Sequence, residues 1–171
     1  VLSPPIILID GFIPPLKCQS DNVLEFTTHK ANSVIAVVEK YYNVKIAELV
    51  PANFGDVIVR PICDNSVYFN RKWTRINKYD FTGYIPISTY NNTTPFDIST
   101  DVYGGELIFK TFKFKHAPNM GELLIFPSAP NFIHYHDTVK IGNLQYIKFY
   151  MVCDTPYVYD YRKFNNICSK W

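Results

Sequence analysis

Residues 102–152, VYGGELIFKTFKFKHAPNMGELLIFPSAPNFIHYHDTVKIGNLQYIKFYMV, constrain the fold more than any other stretch of this 171-residue chain. Short apolar segments separated by turn residues predict four or five consecutive strands. Gly104-Gly105 opens the first, in which Ile108, Phe112 and Phe114 recur on one pleat face while Lys113 and Lys115 point the other way. Pro118-Asn119-Met120-Gly121 is turn chemistry. Leu123 to Phe126 is a short apolar run suited to a strand buried on both faces. After a loop at 127–131, residues 132–136 form a strand carrying His134 and His136. Gly142-Asn143 then turns the chain into a long strand at 145–152, where Ile147, Phe149 and Met151 alternate with Lys148 and Tyr150. The expected result is an antiparallel meander ending a jelly-roll-like barrel.

Elsewhere the signals are sparser. Residues 6–9 read as a short buried strand, followed by the turn at Pro14-Pro15. The best helix is 31–42, with Val34, Val37, Val38, Tyr41 and Tyr42 on one apolar face that would pack outside the barrel. Strands are expected at 46–50, 57–59 and 81–88, where Pro86 marks an edge or a bulge. Residues 65–78 and 91–100 read as loops, 157–161 are a candidate last strand, and 165–171 carry no clear pattern. No repeat or linker divides the chain, so a single domain over residues 1–171 is expected.

Composition excludes several function classes. A net charge of +2 with only 19% charged residues argues against a nucleic-acid binder, which needs a basic face for phosphates. Arg71, Lys72, Arg75 and Lys78 form one local basic patch, read as a solvated loop. No apolar run reaches the ~20 residues that span a bilayer, so no membrane partner is expected. Pro4, Pro5 and Asp10 interrupt the first apolar stretch, so no signal peptide is expected there and the cytoplasm or a virion is the expected setting. Cys18, Cys63, Cys153 and Cys168 are far apart with no CxxC pair, so free thiols are expected rather than a zinc site. The Asn91 and Asn92 sequons carry little weight without a secretory signal.

The order of these residues resembles a known family. A Gly-Gly-Glu-Leu strand at 104–107, Gly-Glu-Leu-Leu-Ile-Phe-Pro-Ser at 121–128, then His134, Gly142 and an aromatic strand are similar to the prolyl-4-hydroxylase-like iron(II)/2-oxoglutarate oxygenases. Residues 5–14 (PIILIDGFIP) look like the family's opening strand, and 55–65 (GDVIVRPICDN) like the strand leading to its first metal ligands. The resemblance implies a mainly β double-stranded β-helix, a jelly-roll-like barrel with one or two flanking helices. It also implies a site where two histidines and one carboxylate hold iron(II) and leave positions open for 2-oxoglutarate and oxygen.

Carried onto this chain, the family's His-x-Asp pair falls on Ile62-Cys63-Asp64, where Ile62 cannot coordinate iron. Counting back from Gly104-Gly105 gives Arg71-Lys72-Trp73, and Lys78-Tyr79-Asp80 is a third choice; neither contains a histidine. His134 fits the later histidine, and His136 shares its strand face. The basic residue for the cosubstrate's carboxylate falls on Leu144 or Gln145, neither cationic, with Lys148 further along. Asp64, His134 and His136 are therefore the metal candidates should iron be bound. The site reads as broken, with no catalytic residue assigned and neither iron(II) nor 2-oxoglutarate expected as cofactor.

Each feature has a plainer reading. His134 and His136 fit a hydrogen-bonded pair on a polar barrel face as well as a metal pair. Asp64-Asn65-Ser66 is good turn sequence, and Gly104-Gly105 fits a backbone requirement at a strand entry. Three functions stay open. One is a catalytically degenerate oxygenase-like domain binding other proteins; small stand-alone members in bacteriophages make a virion component the implied setting. Another is an active iron(II)/2-oxoglutarate hydroxylase with an unusual site. The last is a jelly-roll carbohydrate-binding or capsid-like module sharing only architecture.

Overall fold

The computed structural model describes residues 6–58, 79–90, 101–159 and 169–170, with only the backbone described at 56–58, 89–90 and 169–170. The chain runs β1 (Ile7–Ile9), α1 (Pro15–Cys18), α2 (Val23–Ala31), α3 (Ile35–Tyr42), β2 (Ile46–Ile58), β3 (Phe81–Pro86) and β4 (Thr89–Tyr90). It continues through β5 (Asp101–Gly104), β6 (Leu107–Phe109), β7 (Phe114–His116), β8 (Leu123–Pro127), β9 (His134–His136), β10 (Val139–Ile141), β11 (Asn143–Cys153) and β12 (Ser169–Lys170). Among the described residues these form a six-stranded sheet in the order β12-β1-β8-β3-β11-β2 and two three-stranded sheets, β10-β5-β4 and β7-β6-β9. Pairing is antiparallel except for β1 with β12 and β4 with β5.

This order corrects the expected meander. The strands of residues 102–152 are shared among all three sheets, and β3 separates β8 from β11. Nor do Ile108, Phe112 and Phe114 share a pleat face. The chain reverses at residues 110–113, closed by the Lys113 amide on the Lys110 carbonyl at 3.2 Å, and β7 pairs back on β6. The result is a mainly β fold with flanking helices; closure into a barrel is not among its described strand pairings.

The centre of the six-stranded sheet is covered on both faces, which explains why all five residues of β8 are buried, as its uninterrupted apolar run predicts. On one face Ile7, Phe81, Ile85, Leu123, Ile125, Ile147, Phe149 and Met151 pack against Val23, Ala31, Val34, Val38 and Tyr42 of the helices. On the other, Leu8, Tyr84, Leu124 and Phe126 meet Leu107 and Phe109 of β6. Gly83 is required here by close approach: a Cβ would lie 2.3 Å from the ring of Phe149, its register partner on β11. Gly104 and Gly105 have φ of 85° and 79°, and a Cβ on Gly104 would strike the Thr138 carbonyl at 2.3 Å. The pair thus meets a backbone requirement.

The helix expected at 31–42 is divided. Asn32 Nδ2 donates to the Thr28 and His29 carbonyls, and Ser33 Oγ to that of Lys30. These side chains take up the carbonyls at the end of α2, so the chain passes through a 3-10 turn at Asn32–Val34 before α3 begins. The sequence reading missed α2 because its buried stripe is Val23, Thr27 and Ala31, too weakly apolar to show a period. Asn43, at φ 54°, ends α3 in a left-handed cap.

The strands expected at 46–50 and 57–59 are one, β2, on the edge of the six-stranded sheet. Its register with β11 steps from Lys148↔Asn53 to Tyr150↔Val50, so Pro51 and Ala52 together face Phe149 in a bulge. Pro51 has no amide to lose there, and the Ala52 amide donates to Thr28 Oγ1 at 3.0 Å. Cys18 and Cys153 are buried and free, as expected. Several readings lie outside the described residues: Ile62, Cys63, Asp64, the basic patch, Arg71-Lys72-Trp73, the 65–78 and 91–100 loops with both sequons, and the 161–168 part of the tail.

Candidate functional site

The polar centre of the fold is built from three strands. β9 pairs with β6, placing His134 opposite Phe109 and His136 opposite Leu107. The intervening Tyr135 points away by strand alternation, so both imidazoles enter the buried layer between the sheets. β3 contributes Tyr84, and β11 contributes Leu144, Tyr146 and Lys148, which share one pleat face.

Each histidine is held by particular partners. His134 Nδ1 lies 3.0 Å from the Phe132 carbonyl. A carbonyl only accepts, so Nδ1 carries the proton and Nε2 presents its lone pair. That lone pair meets Lys148 Nζ at 3.3 Å. The ring is flanked by Phe109 and Phe126, with centroids at 5.4 and 5.1 Å. His136 Nε2 lies 3.1 Å from the Tyr84 hydroxyl, and its ring stacks on Tyr146 at 5.1 Å. Burial, and then the Lys148 charge, bring both imidazoles down to a pKa of about 3, so both are neutral near pH 7. Lys148 retains some surface exposure, yet its ammonium end is deep enough for burial to lower its pKa to about 8. It remains mostly protonated at pH 7. The Tyr146 ring lies 5.6 Å from Nζ, a second neutral neighbour for the cation.

Does this arrangement fit iron? The family's site needs two histidines and a carboxylate converging on one ion. Among the described residues no group of three or more His, Cys, Asp or Glu side chains is placed to hold a metal. The His134 lone pair is already directed at an ammonium. Two unit charges about 4 Å apart repel by about 4 kcal/mol at an effective dielectric of 20, and a divalent ion doubles that figure. The described residues do not fit the metal.

Other candidates have different roles. Asp80, from the third His-x-Asp choice, uses its carboxylate on the Cys153 amide at 2.7 Å and the Tyr157 amide at 2.9 Å. Leu144 is buried with Val102 and Val139, and the Gln145 amide donates to Ser88 Oγ. His116 pairs with Glu122 at 2.8 Å, away from β9. Lys148, named from the sequence only as a cation further along the last strand, stands beside His134 instead of at the cosubstrate position. Tyr84 was missed outright, since a tyrosine in an apolar strand reads as packing. Two clefts among the described residues lie elsewhere, one lined by Cys18, Val23, Phe54 and Gln145, the other by Asp80, Pro130, Tyr157 and Tyr159.

No protein-family model matches the sequence, and no curated protein matches it either. Solved structures do. The viral collagen prolyl hydroxylase from Paramecium Bursaria Chlorella virus-1 superposes with a TM-score of 0.59 at 13% identity, over 85% of this chain and 94% of that one. A prolyl hydroxylase from Trichoplax adhaerens, in complex with a hypoxia inducible factor fragment, gives 0.54 at 14% identity, over 76% and 56%. A prolyl-4-hydroxylase from Pseudomonas putida gives 0.50 at 13% identity, over 78% and 67%. At these identities the likeness establishes the fold: this chain shares that of the prolyl-4-hydroxylase-like 2-oxoglutarate/iron(II) oxygenases.

Proposed function

We propose that this chain is a single oxygenase-fold domain that does not turn over 2-oxoglutarate and serves as a protein-binding or structural component, with a virion as its setting. One observation carries the reading: the ring nitrogens an iron ion would need are directed at groups of the protein itself, His134 Nε2 at Lys148 and His136 Nε2 at Tyr84. Should iron be bound, Asp64, His134 and His136 are its proposed ligands.

Exposed apolar side chains support a protein partner. Leu16 on α1 is 93% exposed, and Phe54, 57% exposed, lines the cleft with Cys18 and Val23. Apolar surface around a concavity favours protein contact over free solvation. Among the described residues no helix is long and apolar enough to cross a membrane. Likeness in fold to a virus-encoded enzyme supports the viral setting.

The test is an anaerobic iron(II) titration of the purified protein followed by a succinate-release assay with 2-oxoglutarate. Weak, sub-stoichiometric iron binding and no sustained succinate are expected. One equivalent of iron with continuing succinate production would overturn the reading in favour of an active hydroxylase.

A further inference from the structure

We infer that the Lys148 ammonium is a tethered stand-in for a metal ion, closing the histidine layer with a cation supplied by the chain. The inference rests on the non-catalytic reading above and gives it a chemical cause.

Three observations converge on it. The first is the orientation of His134. A ring whose Nδ1–H is fixed on a backbone carbonyl, leaving Nε2 free to donate its lone pair, is arranged as metal-binding histidines are. The second is what that lone pair meets: Lys148 Nζ, at 3.3 Å. An ammonium donates a proton along the direction a metal ion would otherwise take. The third is the character of the surroundings. Lys148 has a neutral imidazole and the Tyr146 ring as neighbours, and no carboxylate pairs with it among the described residues. A buried ammonium is normally matched by an anion. One held by uncharged donors is instead coordinated much as a metal would be.

The position on β11 makes this possible. Leu144, Tyr146 and Lys148 lie on the inward face, and Lys148 stands immediately before the bulge where Pro51 and Ala52 face Phe149. Its stem runs beside the Tyr146 ring toward β9. The lysine is thus a plug in the polar layer, distinct in role from a carboxylate anchor.

Cobalt(II) titration, followed by visible absorption and calorimetry, tests this on the wild type, Lys148→Ala, Lys148→Val and the Lys148→Ala/His134→Ala double variant. The wild type is expected to take up no stoichiometric cobalt. Lys148→Ala should bind cobalt at least tenfold more tightly than the wild type, through the freed His134 nitrogen, and the double variant should lose that gain. Lys148→Val, whose side chain suits a strand, keeps the test open if alanine compromises folding. Nitrogen-15 spectra of the wild type supply a readout independent of both: His134 should appear as the Nδ1–H form with an acceptor Nε2 coupled to the Lys148 ammonium. Folded variants that gain no cobalt, a gain that survives loss of His134, or a His134 protonated at Nε2 would each overturn the inference. The wild-type succinate assay judges the functional reading separately, so the two failures are distinguishable.

Discussion

The two faces of β11, one buried and the other half-buried, are held by different physics. Toward the helices, Ile147, Phe149 and Met151 are almost fully enclosed and wholly apolar. Each such side chain contributes ~1.5–3 kcal/mol by leaving water, with no dependence on protonation. Toward β9, the same strand presents Tyr146 and Lys148 to His134, His136 and Tyr84. Paired polar groups there contribute only about 1 kcal/mol each, and an unpaired one costs about 1–3. The helix-facing layer supplies stability under most conditions. The histidine layer is stable only in particular protonation states, and it specifies the packing of the small sheet more than it strengthens it.

Acid should separate the faces most strongly. Folding lowers the pKa of both His134 and His136 to about 3, so the unfolded chain binds more protons between that value and the ordinary histidine range. Their contribution is fully present above about pH 6.5 and is lost as pH falls toward 3. Two protons taken up on unfolding correspond to about 5 kcal/mol lost between pH 6.5 and 4.5. Urea midpoints across that range should show the loss, and His136→Gln should show about half of it. A flat wild-type profile would erase the contrast between the faces.

On the apolar side, Phe149→Ala is expected to cost about 3–5 kcal/mol at any pH, because it empties the space over Gly83 and exposes the seam with the helices. Denaturant unfolding at pH 7 and 5 should return the same figure. A pH-dependent cost would couple the two layers.

Lys148 predicts an effect of opposite pH direction. Its folded pKa of about 8 lies below the unfolded value, so stability should rise as pH climbs from 8 toward 10.5 and should be absent below 8. After allowance for the part of the residue left exposed, the gain is about 2 kcal/mol. Lys148→Met should lack that rise when its urea midpoints are compared with the wild type over the same range. Smallest is Thr28→Val, which removes the acceptor for the Ala52 amide at the bulge and should cost about 1 kcal/mol in thermal unfolding.

How much of this was legible follows the same division. The buried run of β8 and the apolar alternation of β11 could be read directly, because area burial leaves a period in the sequence. The second face of β11 could not. A strand that alternates apolar with Lys and Tyr looks half solvated, and only the packing of β6 and β9 over it shows otherwise. The reversal at residues 110–113 was hidden for a local reason: Lys113 takes φ 52° where glycine or asparagine would have announced the turn. For the site, His134, His136 and, further along, Lys148 were named, but Tyr84, the partner of His136, comes from a strand 52 residues away. Such contacts leave no spacing to read.

The sheet order also bears on how the chain comes to its fold in time. β1 lies between β8 and β12, and its register partner for Ile7 is Ile125, over a hundred residues later. During synthesis, at about 5–20 residues per second, Ile7, Leu8 and Ile9 leave the ribosome seconds before β8 exists to receive them. Until then an apolar strand with two unpaired edges is open to other chains. Pairings this distant place the protein among slow folders. The early helices, made of local contacts, share a core cluster with Ile7 and are complete in sequence well before β8, so they are the first partner available to the nascent strand.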